Sequence, residues 1–191
     1  MAGESEPRLV RLMNTIWADR RGVHDSLSTP GELAQWLSAT GLTAGESSAT
    51  AAHLEAAVTL RDALRRLAAL KTEDTRPAAA SAMQDVETAV AAVNNAAALI
   101  PVQPALGLSG GKLHLRPREA PADAGAALTV VAVEAIDLLT GPDGVLNACH
   151  APGCVLYFVK DHPRREWCST ACGNRARAAR HYERHRPASA R

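Results

Sequence analysis

Cys149-His150-Ala151-Pro152-Gly153-Cys154 and Cys168-Ser169-Thr170-Ala171-Cys172 hold every cysteine of this 191-residue chain. Four residues separate the first pair, three the second, and thirteen lie between the pairs. That spacing presents four thiolates to one tetrahedral metal ion, each pair supplying two ligands from a tight turn. The intervening segment must fold back for the pairs to meet. Val155, Leu156, Tyr157, Phe158 and Val159 form a β-prone run, Asp161-His162-Pro163 favours a turn, and Trp167 re-enters just before the second pair. One structural zinc ion per chain on Cys149, Cys154, Cys168 and Cys172 is the expectation. Four thiolates close the site and leave no position for a catalytic water.

Other readings of the cysteines are weaker. Two short-range disulfides would suit a secreted chain, but Met1–Arg8 is polar and acidic with no apolar stretch behind it. Neither pair has the spacing of a redox Cys-x-x-Cys. His150, His162, His181 and His185 are alternative ligands that a complete cysteine set makes unnecessary.

The run Trp167-Cys168-Ser169-Thr170-Ala171-Cys172-Gly173-Asn174-Arg175, followed by an Arg/Ala helix with His181-Tyr182, resembles the CGNR zinc finger. That finger ends a family of bacterial proteins regarded as stress-induced transcription regulators, whose N-terminal ABATE domain opens with a helix carrying a Leu-Asn-Thr-like signature. Leu12-Met13-Asn14-Thr15 is similar to it, with Met13 intervening. The resemblance implies a DNA-binding regulator responding to stress, with an N-terminal domain that senses a signal or dimerises.

Composition is consistent with a domain plus a small zinc-stapled unit. Hydrophobic residues reach 47%, much of it alanine, and aromatics only 3%, so the core is thin and helical. Tyr157, Phe158, Trp167 and Tyr182 fall in the finger, leaving Trp17 and Trp36 for the remainder. No apolar run is long enough to span a membrane, which implies a soluble, cytoplasmic protein. The net charge of +1 conceals an asymmetry: residues 149–191 carry nine Lys/Arg against three acids, the rest twelve against seventeen. A basic tail on an acidic body points to a polyanion such as DNA, the plain alternative being a solvated helix.

Along the chain, Leu9, Leu12, Met13 and Ile16 recur at helical spacing, predicting a helix over 6–20 with Asn14 and Thr15 inside it. Thr29-Pro30-Gly31-Glu32 is a capping box opening a helix that buries Leu33, Trp36 and Leu37 and stops at Gly41. Residues 48–71 predict a longer helix, with Leu60, Leu64 and Leu67 inward and Arg61 and Arg65 as surface charges by default. After a polar break at 72–77, Met83, Val86, Val90, Val93 and Ala97 predict a helix of some six turns, which Pro101 and Pro104 prevent from continuing. Leu106 and Leu108, then Ser109-Gly110-Gly111, then Leu113 and Leu115 read as a hairpin. Pro121 opens a last helix with Leu128, Val131, Ala135 and Leu138 in register, halted by Gly141-Pro142.

The expected fold is therefore mainly α (α+β overall): a helical N-terminal domain with one β-hairpin over 1–142, a treble-clef-like zinc finger over 143–186, and a disordered tail at 187–191. Chelation or Cys172→Ser is expected to unfold the finger while sparing the N-terminal helices. On a helix running on from Cys172, Arg177, Arg180 and Arg184 fall on one side, and Lys160, Arg164 and Arg165 join them from the hairpin as phosphate contacts. Arg175, Asn174, Tyr182 and Trp167 fall to bracing the finger. Asn14, Arg61 and Asn94, with Trp17 as a wall, are candidates for a pocket taking a small anionic effector. No catalytic constellation is present, so the chain reads as a non-enzyme. The rival readings are a small-molecule binder or enzyme in which zinc only staples a lid, and a protein-docking finger.

Overall fold

The computed structural model describes residues 6–43, 48–99, 106–115 and 123–185. Pro101, Pro104, Pro121 and the tail from Arg186 onward lie outside them. The order is α1 (Arg8–Met13), β1 (Ile16–Asp19), β2 (Gly22–Asp25), α2 (Pro30–Ala39), α3 (Ala51–Lys71), a 3-10 turn (Pro77–Ala79), α4 (Val86–Ala98), β3 (Leu106–Ser109), β4 (Lys112–Leu115), α5 (Ala124–Thr140), β5 (Leu146–Ala148), β6 (Tyr157–Val159) and α6 (Thr170–His185). The strands form three separate antiparallel pairs, β1-β2, β3-β4 and β5-β6. No described helix is long and apolar enough to cross a membrane.

Helix α3 is the spine, with α1, α2, α4 and α5 packed on it. Its buried face runs through Ala57, Leu60, Ala63, Leu64 and Ala68, and α5 answers with Ala127, Leu128, Val131, Ala132 and Ala135. Alanine on facing helices lets them approach closely, so an alanine-rich chain still closes a core without large side chains. Helix boundaries follow from capping. Thr29 and Glu32 form the reciprocal box at α2, and Gly41, in the left-handed region at φ 66°, ends it with Leu42 bonded back to Leu37. Asp85 and Asp123 cap α4 and α5 by accepting the Thr88 and Ala126 amides.

Three expectations change. The helix predicted over 6–20 ends at Met13, and Ile16–Asp19 turns back as half of a second N-terminal hairpin, Trp17 opposite His24. Helix α4 spans only Val86–Ala98, because Asp85 fixes its start beyond Met83. Arg61 and Arg65 are buried, at 4% and 2% exposure, not surface charges. The finger packs directly on the helices: Leu146, Ala148 and Tyr157 belong to the same buried cluster. Gly141 to Gly144 marks a turn in the chain, not a gap in the packing.

Candidate metal centre

Two turns and a helix start build the site. Cys149 follows β5, its amide bonded to the Leu156 carbonyl. The chain then doubles back at Gly153 (φ 70°), and the Cys154 amide bonds the Ala151 carbonyl. Cys172 lies in the first turn of α6, where the Ser169 hydroxyl accepts its amide at 3.2 Å. A helix N-terminus favours a thiolate. The four sulfurs lie within 4.8 Å of one another and all four cysteines are buried. Cys154 and Cys168 are 3.8 Å apart and Cys168 and Cys172 3.4 Å. A tetrahedron with Zn–S bonds of about 2.3 Å has edges of about 3.8 Å, so the donor set fits one zinc ion. His150, His162, His181 and His185 are not part of the cluster.

The thiols also show why a cation belongs here. Cys149 is pulled far down by hydrogen bonds from Cys154 and Cys168. Cys154 and Cys168 are both pushed up, chiefly because they donate to Cys149. Hydrogen bonding thus favours a thiolate at Cys149 over Cys154 and Cys168, and a divalent ion makes four thiolates compatible. When bound, zinc supplies a closed structural crosslink and no reactive position.

Every cysteine is then gripped by an arginine. Arg76 donates to the Cys149 and Cys154 carbonyls at 2.5 and 2.7 Å, Arg165 to the Cys168 carbonyl at 3.2 Å, and Arg175 to the Cys172 sulfur at 3.0 Å. Arg76 is held by a two-pronged pair with Asp74, whose side chain is 1% exposed and also accepts the Tyr157 hydroxyl at 2.9 Å. Burial raises the cost of ionising Asp74, but the bonds from Arg76 keep its pKa below the ordinary value. Arg165 pairs with Glu6 and lies over the Phe158 ring. Two of the three grips are thus anchored in the N-terminal region, by Asp74 and Glu6.

The outer edge of β6 completes the joint. Tyr157 donates its amide to the Asn14 side chain at 2.9 Å and accepts from it at 2.8 Å, as a neighbouring strand would. Glu6 accepts the Val159 amide at 2.9 Å. Arg65, with no carboxylate partner among the described residues, donates to the Met13, Ala79 and Val155 carbonyls from three segments. Burial depresses its pKa, which is tolerable because carbonyl oxygens replace water as acceptors.

These contacts correct several predicted roles. The Asn14 side chain docks the finger through the Tyr157 backbone. Arg61 is closed off by Asp25, Asp62 and Thr15. Asn94 is exposed on α4, beside an apolar groove lined by Leu67, Leu70 and Ile136. Trp17 stacks on His24 at the first hairpin. Arg165 is committed to Glu6 and to the Val159 and Cys168 carbonyls, which takes it out of the phosphate-facing set. Tyr182 is 76% exposed, because three-residue strands are too short to underlie the far half of α6. Asn174 is exposed and pairs with Arg177 at 2.6 Å instead of bracing the finger. Trp167 packs against the cysteine cluster, and a Cβ on Gly173 would come within 3.1 Å of its indole. The sequence reading missed Glu6, Arg65, Asp74 and Arg76; an Asp-x-Arg inside a polar break was their one local trace.

Tyr157 gives this joint a measurable signature. Burial first, then the Asp74 charge, push its hydroxyl up from 10.0 to about 12. The folded protein keeps that proton after the unfolded chain has lost it. The stabilisation is complete below pH 10 and lost as pH rises through about 12, on the order of 2–3 kcal/mol. A tyrosinate absorbance titration should show a late step that Tyr157→Phe lacks. Complete ionisation of both tyrosines in the folded protein near pH 10 would contradict this environment.

Residues 146–185 match the CGNR zinc finger, and residues 6–142 match ABATE, described as "Putative stress-induced transcription regulator". No curated protein matches the sequence. A match across most of the chain, ending on four cysteines placed as a zinc finger requires, means that the chain belongs to the ABATE family and carries a CGNR zinc finger at its C-terminal end.

Proposed function

We propose that this protein is a DNA-binding regulator, acting by binding and not by catalysis, in which the zinc-stapled finger presents α6 to the phosphate backbone. The observation that carries the reading is the row Arg177, Arg180 and Arg184, all exposed and all lining one open groove beside Trp167. Among the described residues none of the three is paired with a carboxylate. Arg180 lies over the Trp167 ring. Arg177 reaches back to Asn174 and Arg184 to the Arg180 carbonyl, interactions that a phosphate can replace. Lys160 and Arg164 are exposed on the loop after β6 and extend the basic surface. Glu166 and Glu183 line the same groove and restrict where a phosphate can sit. The family description supports the same assignment.

Fluorescence anisotropy with duplex DNA across a salt series tests it. Each phosphate contact contributes about 0.9 to the slope of log affinity against log salt. Arg177→Ala/Arg180→Ala/Arg184→Ala should flatten the slope by up to about 2.7 and weaken binding to all sequences alike, with zinc retained. A folded triple variant with unchanged affinity and slope would leave the row as a solvated face.

A further inference from the structure

The far end of α6 carries two histidines outside the cysteine site, His181 on the groove that the arginine row lines and His185 one turn beyond it. His181 and His185 are four residues apart, so they share one helix face. Both are exposed, and their rings stack at 4.2 Å between centroids and 19° between planes. The His185 Nδ1 lies 2.9 Å from the His181 carbonyl oxygen. A carbonyl only accepts, so Nδ1 carries the proton and Nε2 presents its lone pair. A metal-ligating histidine has this arrangement, one ring N–H held by a carbonyl and the other nitrogen bare. Neither histidine is paired with a carboxylate among the described residues.

We propose that His181 and His185 form a second metal site, for a late first-row divalent ion, each contributing one ring nitrogen while water fills the remaining positions. Imidazole suits zinc, copper and nickel, and two imidazoles at i, i+4 on a helix meet one ion from the same side once the exposed His181 ring turns out of the stack. The neighbouring guanidiniums are drawn back toward the helix start, Arg177 to Asn174 and Arg184 to the Arg180 carbonyl. Two protein ligands, against four in the buried cysteine site, make this ion exposed and exchangeable.

The test uses untagged, full-length, zinc-loaded protein titrated with Ni²⁺, with calorimetry for affinity and dialysis followed by elemental analysis for both metals. The wild type should take up one nickel per chain with its zinc retained. His181→Ala and His185→Ala should each weaken that binding at least tenfold. Both side chains are exposed, so the variants should keep the wild-type circular dichroism. Nickel uptake that is absent, equal in the double variant, or matched one-for-one by released zinc would overturn the proposal.

Discussion

Cys172→Ser is expected to unfold the helical body together with the finger. Structural zinc contributes roughly 10–16 kcal/mol of apparent binding energy in finger peptides, against a total stability of about 5–15 kcal/mol for an ordinary domain. Removing a ligand therefore removes an amount comparable to the whole margin. The loss cannot stay local, because Leu146, Ala148 and Tyr157 share a core with α3 and α5. Releasing β6 would also leave Asn14 and Glu6 without their backbone partners, and Arg65 without the Val155 carbonyl. Circular dichroism of the variant should show helix content well below wild type at room temperature. A variant with a native helical signal and only the finger disordered would show that the two parts fold separately.

Arg76→Ala carries the second large effect, and it acts without touching a zinc ligand. The substitution strands Asp74, whose side chain is 1% exposed, leaving its charge the Tyr157 hydroxyl and the backbone amide of residue 76. Breaking a buried ion pair by removing one partner costs about 3–5 kcal/mol. It also frees the Cys149 and Cys154 carbonyls, so zinc affinity should fall, since partners of this kind typically matter 10–100-fold. Arg76→Lys keeps the charge but loses the planar fork, and should fall between the two. Denaturant unfolding and competition with a chromophoric chelator report the two effects. A stability change below about 1 kcal/mol, the range of exposed pairs, would mean that the Asp74–Arg76 pair is not part of the joint.

What the sequence revealed and what it concealed divide by range. The cysteine set was legible because ligand spacing is written along the chain. The same is true of the Thr29–Glu32 capping box and of Ser109-Gly110-Gly111, where both glycines take the positive φ a two-residue hairpin turn needs. The β1-β2 hairpin was hidden because Ile16 extends the helical spacing of Leu9, Leu12 and Met13. Its turn, Arg20-Arg21, lacks the Asn-Gly type of signal. Arg61 and Arg65 read as surface because burial of an arginine depends on acceptors from elsewhere. The Val155 carbonyl lies 90 residues from Arg65, and Cys149 lies 73 from Arg76. The same distance concealed the docking role of Asn14, whose partner is Tyr157, 143 residues on. Periodicity assigns a residue to a face, but it does not say which segment will cover that face.

The joint between finger and body is tested most directly by following metal release and helix loss in one unfolding experiment. Zinc-loaded protein is unfolded in denaturant, with a chromophoric chelator reporting free zinc and far-ultraviolet circular dichroism reporting helix. A single coincident midpoint for both signals is the expected result, because Asp74–Arg76, Glu6–Arg165 and Asn14–Tyr157 tie the metal site to the helices. Zinc leaving at a clearly lower midpoint, with the helical signal intact in the metal-free chain, would contradict it.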